Sequence, residues 1–183
     1  MYGPITDKAD VVLVSHDHAD HNYVTGLRGS PRVIKTPGKH EVKGIVVEGI
    51  PSYHDASRGS ERGENIIFIV VADGMRVCHL GDLGHRLSDK EVKAIGQVDC
   101  LLIPVGGFYT IGPEEATAVA DQLQPKLIIP MHWKTEKCGF PIEPVGTFLQ
   151  GKKKVRRLKG SSFSFSKKEL AAGLGIVVLQ PAL

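Results

Sequence analysis

An apolar run that leads straight into a crowd of metal-capable side chains constrains this chain more than any other feature. Val11-Val12-Leu13-Val14 is followed by Ser15-His16-Asp17-His18-Ala19-Asp20-His21. The short continuous run reads as a strand buried on both faces. In an extended segment residues i and i+2 point the same way, so His16 and His18 can grip one ion from one side. Asp20 and His21 follow where the chain turns, and can face a second ion beside the first. Nitrogen and carboxylate ligands of this kind suit Zn²⁺, Mn²⁺, Fe or Ni. A solvated loop has no need of three histidines at fixed spacing, so the metal reading outweighs that of an ordinary surface turn.

Two ions need more ligands than this cluster holds. Three further candidates each follow an expected strand. His54 comes after a strand over 44–50, Asp82 after one over 76–80, and His132 after one over 126–130. Asp73-Gly74 is a strong hairpin signal joining 66–71 to 76–80, and the strand before it spans 65–72. Residues 36–39 read as a turn and 55–63 as a polar loop. Ser88 with Glu91 three residues on forms a capping box for a helix over 88–95. A buried strand over 100–104 ends in Gly106-Gly107. A helix over 113–123 has Pro113 near its start and Glu114 and Glu115 in its first turn. A short helix near 144–150 and strands near 155–158 and 175–179 complete the pattern. Strands dominate the front half, and strands and helices alternate in the back half. That predicts two sheets with helices outside them, with the site where strands end.

The order HxHxDH, then a lone histidine, then Gly-Asp, then a strand ending in Pro-Met-His resembles the metallo-β-lactamase superfamily. The segments VCHLGDLGH, DCLLIPVGG and PKLIIPMHWKT are most similar to its Zn-dependent hydrolase branch, which contains the ascorbate-6-phosphate lactonases. The likeness covers nearly the whole chain. It implies an α/β fold, the αβ/βα four-layer sandwich. It also implies one metal held by His16, His18 and His54, a second held by Asp20, His21 and His132, and Asp82 bridging the two. The zinc β-lactamases commonly carry a cysteine where this chain has Asp82. A bridging carboxylate goes with dinuclear hydrolases of esters, lactones and phosphodiesters, so penicillin hydrolysis is not expected.

The expected enzyme is therefore a hydrolase with two divalent ions, zinc first and manganese, iron or nickel also admissible. A metal-bridging water or hydroxide would cleave a small anionic ester or lactone. Asp20 and Asp82 would balance charge and orient that water, and no Ser or Cys nucleophile is needed. Two alternatives stand beside this reading: a phosphodiesterase or nuclease of the same superfamily, and a metal-binding protein without turnover.

Other residues carry weaker signals. His85, three residues past Asp82, is the remaining candidate catalytic group, contacting substrate or supporting a ligand. His79 reads as a packed strand residue and His40 as a solvated turn residue. Asp17 must point away from its flanking ligands. Tyr109 and Thr110 are candidates to line a pocket, with Tyr109 able to donate to a developing oxyanion. Trp133 reads as a wall. Arg58 and Arg62, in the loop after His54, are candidates to bind an anionic substrate.

Length and composition set the frame. With 183 residues, 42% of them hydrophobic, the chain can build a real core, and one domain over 1–183 is expected. No apolar stretch is long enough to span a bilayer. Met1-Tyr2-Gly3-Pro4 lacks the features of a signal peptide, so a cytoplasmic location is expected. Cys78, Cys100 and Cys138 are scattered and odd in number, which fits reduced, mostly buried thiols. The basic run Lys152-Lys153-Lys154-Val155-Arg156-Arg157 reads first as a solvated helix end running into a strand. Its rival is a patch for phosphorylated or nucleic-acid ligands, but no aromatic RNA-binding motif accompanies it. A small-molecule partner is therefore expected, without nucleic acid or membrane. Family members usually open with two strands before the HxHxDH strand, whereas ten residues precede Val11 here. The expected fold is thus N-terminally shortened, and a homo-oligomer is expected to cover the exposed apolar edge.

Overall fold

The computed structural model describes residues 3, 5 and 7–182. Of the opening Met1-Tyr2-Gly3-Pro4 stretch, all but Gly3 lies outside the described residues. Among the described residues no helix is long and apolar enough to cross a membrane.

The main sheet has eight strands. In chain order these are β3 (Gly38–Val42), β4 (Ile45–Tyr53), β5 (Glu64–Ala72), β6 (Met75–His79), β7 (Cys100–Pro104), β8 (Leu127–Met131), β9 (Val155–Arg157) and β10 (Gly175–Val178). Their spatial order is β3-β4-β5-β6-β7-β8-β10-β9. The first four pair antiparallel and the rest parallel. A separate parallel pair joins β1 (Val11–Leu13) to β2 (Arg32–Ile34).

Alternation along β5 explains the layering. Ile67 and Ile69 face one large core shared with α1 (Asp89–Ile95), α2 (Pro113–Leu123) and α3 (Val145–Leu149). Ile66 and Phe68 point to the opposite face, where Ile34 of β2 and Val11 and Leu13 of β1 pack. Farther along that second face lies α4 (Lys167–Ala171), whose buried Leu170 meets Cys100, Leu127 and Val177. The eight-stranded sheet is thus covered on both faces, by helices on one and by β1–β2 and α4 on the other.

Several local expectations meet the structure directly. Ser88 Oγ accepts the Glu91 N–H and the Glu91 carboxylate returns to the Ser88 N–H, closing the capping box of α1. Asp73 and Gly74 both have positive φ, as a two-residue turn between antiparallel strands demands.

Other expectations are corrected. Residues 36–39 are not simply a turn, because Gly38 opens β3. His40 therefore sits on a strand, half-buried, with Nε2 3.0 Å from Thr36 O. β3 and β4 are joined through Lys43 and Gly44, again with positive φ at both positions. Lys-Gly is a weaker hairpin signal than Asp-Gly, so the local sequence does not mark this strand. β2 is three residues of mixed exposure, too short for a periodicity. α4 was missed as well, although its Ser166–Glu169 capping box repeats that of α1. β1 is not buried on both faces: it is only half-buried, in a two-stranded sheet, and packs on the main sheet through Val11 and Leu13.

Candidate metal centre

Strand direction assembles the site. β4 runs antiparallel to β5, and β5 to β6, so β4 and β6 point the same way. β7 and β8 are parallel to β6. The C-terminal ends of β4, β6, β7 and β8 therefore share one edge, and His54, Asp82 and His132 all emerge there. The HxHxDH segment reaches the same edge from the other sheet, where Ser15 O accepts the Ile66 N–H at 2.8 Å at the start of β5.

The side chains converge on one carboxylate. Asp82 Oδ2 lies 3.4 Å from His54 Nε2, 3.4 Å from His132 Nε2, 3.6 Å from His21 Nε2 and 3.8 Å from His16 Nε2. Donor atoms of His16, His18 and His54 lie within 4.8 Å of one another, and so do those of His16, His21 and Asp82. Asp20 stands at the rim, largely exposed, with Oδ2 3.7 Å from His21 Nε2. Six of the expected ligands thus gather around the pocket floor, and Asp20 reaches it through His21.

The electrostatics fit a cation. Burial would raise the Asp82 pKa, but the imidazoles of His54, His132, His21 and His16 outweigh it and hold the group at about 2. Burial, reinforced by the neighbouring histidines, lowers His16 to about 4 against the opposing pull of Asp82. His16 is therefore neutral near pH 7, and its Nε2 is buried with no hydrogen-bond partner. Its Nδ1 is engaged by Ser15 Oγ at 2.9 Å. A buried imidazole nitrogen without a hydrogen bond, facing a carboxylate among other imidazoles, is suited to coordinate a divalent cation. The residues present fit a divalent cation.

Close packing behind the ligands explains their placement. Gly84 stands against the chain at His54, where a Cβ would meet the His54 carbonyl carbon at 2.2 Å. Gly81 takes φ +59, and a Cβ there would lie 2.3 Å from Asn65 Oδ1. His132 itself adopts φ 51, an uncommon conformation for a side-chain-bearing residue.

Three supporting residues were not foreseen. Buried Asn65 accepts the Asp82 N–H at 3.0 Å and donates to Ser52 Oγ at 2.7 Å. Buried Asp55 accepts the backbone N–H groups of Ser57, Gly59, Glu61 and Arg62 at 2.8, 2.8, 3.1 and 2.7 Å. Burial opposes its charge, but these four donors bring its pKa down to about 2. The available signals were an amide opening an apolar strand and an aspartate leading a glycine-containing loop.

A pocket of about 340 Å³ opens over the cluster, lined by His18, Asp20, His21, His54, Arg62, Asp82, Tyr109, His132 and Phe140. Tyr109 and Arg62 are therefore at the site. Thr110 is not, being buried with Oγ1 turned to Ile111 O at 3.3 Å. Asp17 accepts from Asn22 Nδ2 and faces a different cavity. Trp133 packs against the large core. His79 Nδ1 accepts the Gly81 N–H at 3.0 Å.

His85, expected as a catalytic group, is not brought to this pocket. Its Nε2 accepts the Tyr53 N–H at 3.2 Å and lies 3.6 Å from Glu91, while Nδ1 is 2.8 Å from Arg86 O. It lines a separate groove together with Arg58. Both ring nitrogens are occupied because Gly84 turns the chain back over β4, carrying His85 past the site. The basic run is also partly spoken for: Lys152 Nζ donates to Thr117 Oγ1 at 2.8 Å and lies over the Phe148 ring, and Arg156 lies over Phe163.

Comparison with known proteins agrees with this geometry. Residues 1–132 match the family described as the β-lactamase superfamily domain. A UPF0173 metal-dependent hydrolase of Archaeoglobus fulgidus is 31% identical over 74% of this chain and 69% of its own length. One from Thermococcus onnurineus is 29% identical over 70% of this chain and 68% of its own. A crystal structure from Thermotoga maritima, described as a Zn-dependent hydrolase of the metallo-β-lactamase superfamily, superposes with a TM-score of 0.83. It is 40% identical, covering 97% of this chain and 86% of that one. The α/β architecture is that of the metallo-β-lactamase fold, and this chain belongs to the β-lactamase superfamily and, within it, to the UPF0173 metal-dependent hydrolases.

Proposed function

We propose that this chain is a dinuclear metal-dependent hydrolase of small anionic esters or lactones. One observation carries the reading: a single carboxylate oxygen, Asp82 Oδ2, lies within 3.4–3.8 Å of the Nε2 atoms of four histidines. A carboxylate so surrounded is suited to bridge two cations. His16, His18 and His54 would hold one, and Asp20, His21 and His132 the other.

When bound, the two cations would acidify water near neutral pH and polarise the scissile carbonyl. The chain's own residues supply the rest. Asp82, ionised down to about pH 2, balances the positive charge of the floor. Asp20, at the open rim, is placed to take a proton from the attacking water and pass it to solvent. Tyr109, on the pocket wall, can donate to the oxygen that gains charge. His85 has no part in this reading. Zinc is the first candidate metal, and availability decides among zinc, manganese, iron and nickel.

The test is elemental analysis of wild type and Asp82→Ala, followed by chromogenic esters, lactones and bis(p-nitrophenyl) phosphate with Zn²⁺, Mn²⁺ and Ni²⁺. About two ions per chain, falling in the variant, with ester or lactone turnover, is the expected result. Hydrolysis of the diester alone would replace the reading with a phosphodiesterase. A metal-loaded protein that turns over nothing would overturn it.

A further inference from the structure

The pocket over the metal-ligand cluster has walls of two different kinds. One carries the Arg62 guanidinium. The other carries the Tyr109 and Phe140 rings, edge to face at 5.6 Å, and Phe108, outside the pocket lining, packs edge to face on Tyr109 at 4.7 Å. Phe108 and Phe140 are 63% and 51% exposed. Large rings left in water at the mouth of a site are apolar surface awaiting a ligand. Arg62 meets this wall, with its guanidinium carbon 6.0 Å from the Tyr109 ring centre.

Arg62 is held ready without being used up. Its backbone N–H is fixed by the Asp55 carboxylate at 2.7 Å, and the next residue, Gly63, accepts the His54 N–H at 3.0 Å. The arginine is thus tied on both sides to the segment that carries a metal ligand. Among the described residues its side chain pairs with one carboxylate, the exposed neighbour Glu61, at 3.8 Å. An arginine on a rigid loop with only a weak partner retains most of its planar hydrogen-bonding fork for a ligand. That fork matches a carboxylate or phosphate.

We propose that Arg62 is a specificity-determining residue. It would grip the anionic oxyacid group of a substrate whose flat apolar part lies on Tyr109 and Phe140. The inference rests on the hydrolase reading above and adds the substrate class: a small ester or lactone carrying a planar ring and, beside it, a carboxylate or phosphate. A pocket of about 340 Å³ holds a molecule of that size.

Four probe esters separate the elements: phenyl acetate, 4-acetoxybenzoate, 4-acetoxyphenyl phosphate and O-acetylglycolate. Arg62→Gln keeps the backbone N–H that Asp55 holds, and its fold is checked by circular dichroism. In this variant kcat/KM on the anionic aryl esters, taken relative to phenyl acetate, is expected to fall about 10-fold or more. Whichever of 4-acetoxybenzoate and 4-acetoxyphenyl phosphate loses more identifies the oxyacid. Phe140→Ala is expected to lower the aryl esters relative to O-acetylglycolate. Calorimetric binding of 4-hydroxybenzoate and of phenol gives a second readout independent of turnover. Binding of the acid that weakens in Arg62→Gln supports Arg62 as the oxyacid-binding residue even if none of the esters is cleaved, so failure of the hydrolase reading and failure of this one are told apart. Equal losses on neutral and anionic esters, or equal binding by wild type and Arg62→Gln, would overturn it.

Discussion

The amide oxygen of Asn65 accepts the backbone N–H of Asp82 at 3.0 Å, and the Asn65 amide group donates to Ser52 Oγ at 2.7 Å and Leu80 O at 2.9 Å. The buried asparagine thus ties Asp82 to β4, β5 and the end of β6. Asn65→Leu would leave the Ser52 and Leu80 acceptors without their donor and free the Asp82 N–H, at a cost of about 1–3 kcal/mol per buried group. Metal affinity is expected to fall about 10–100-fold, as for other residues that orient ligands from behind. Urea denaturation and a competitive chelator titration measure the two effects. Unchanged metal affinity would mean that Asp82 does not depend on this bond.

Gly84 and Gly146 make a contrasting pair. A methyl group at Gly84 would meet the His54 carbonyl carbon and oxygen, both at 2.2 Å, whereas nothing lies within 4 Å of one at Gly146 in α3. Gly84→Ala is expected to lower Tm and shift His54, reducing metal content. Gly146→Ala is expected to stabilise by about 0.5–1 kcal/mol by removing backbone freedom from the unfolded chain. Thermal melts with elemental analysis check both. A well-folded, fully metallated Gly84→Ala protein would contradict the close packing.

Asp55 predicts a pH dependence. Its pKa is lowered from 3.8 to about 2 because four backbone N–H donors outweigh its burial. A depressed folded pKa means that the charge stabilises the fold fully above pH 3.8. That contribution is lost as pH falls through about 2. Asp55→Asn should therefore have a lower Tm at pH 7, with the gap to wild type closing between these two values. Melting curves across that range decide it, and a gap that stays constant would refute the assignment.

The cysteines should differ in reactivity. Burial pushes the Cys78 thiol up to about 12 against the opposing charge of Arg76, and the Cys100 thiol up to about 11 with the Asp99 carboxylate adding to the effect. Cys138 is only half-buried. The thiolate is the reactive form, so an aromatic disulfide reagent should label Cys138 in the native protein and the other two only after unfolding. Rapid native labelling of Cys78 would show that the core opens.

Sequence and tertiary structure contributed different things. The candidate ligands stand out in the chain because metal coordination demands particular atoms at short spacing: His16, His18, Asp20 and His21 lie close together, and His54, Asp82 and His132 each follow a strand. Asp73-Gly74 and the Ser88–Glu91 capping box were readable because a two-residue turn and a helix start are solved by neighbouring residues. Strands β2 and β3 were not, since three to five residues of mixed exposure are held by pairing with distant strands rather than by their own pattern. The role of Asn65 was hidden because it acts across 17 residues of chain. The fate of His85 was hidden for a related reason: only the close approach of Gly84 to His54 turns it out of the pocket. What a residue is made of is local and legible. Which neighbour it faces depends on how the strands are ordered, and that ordering exists only once the sheet has formed.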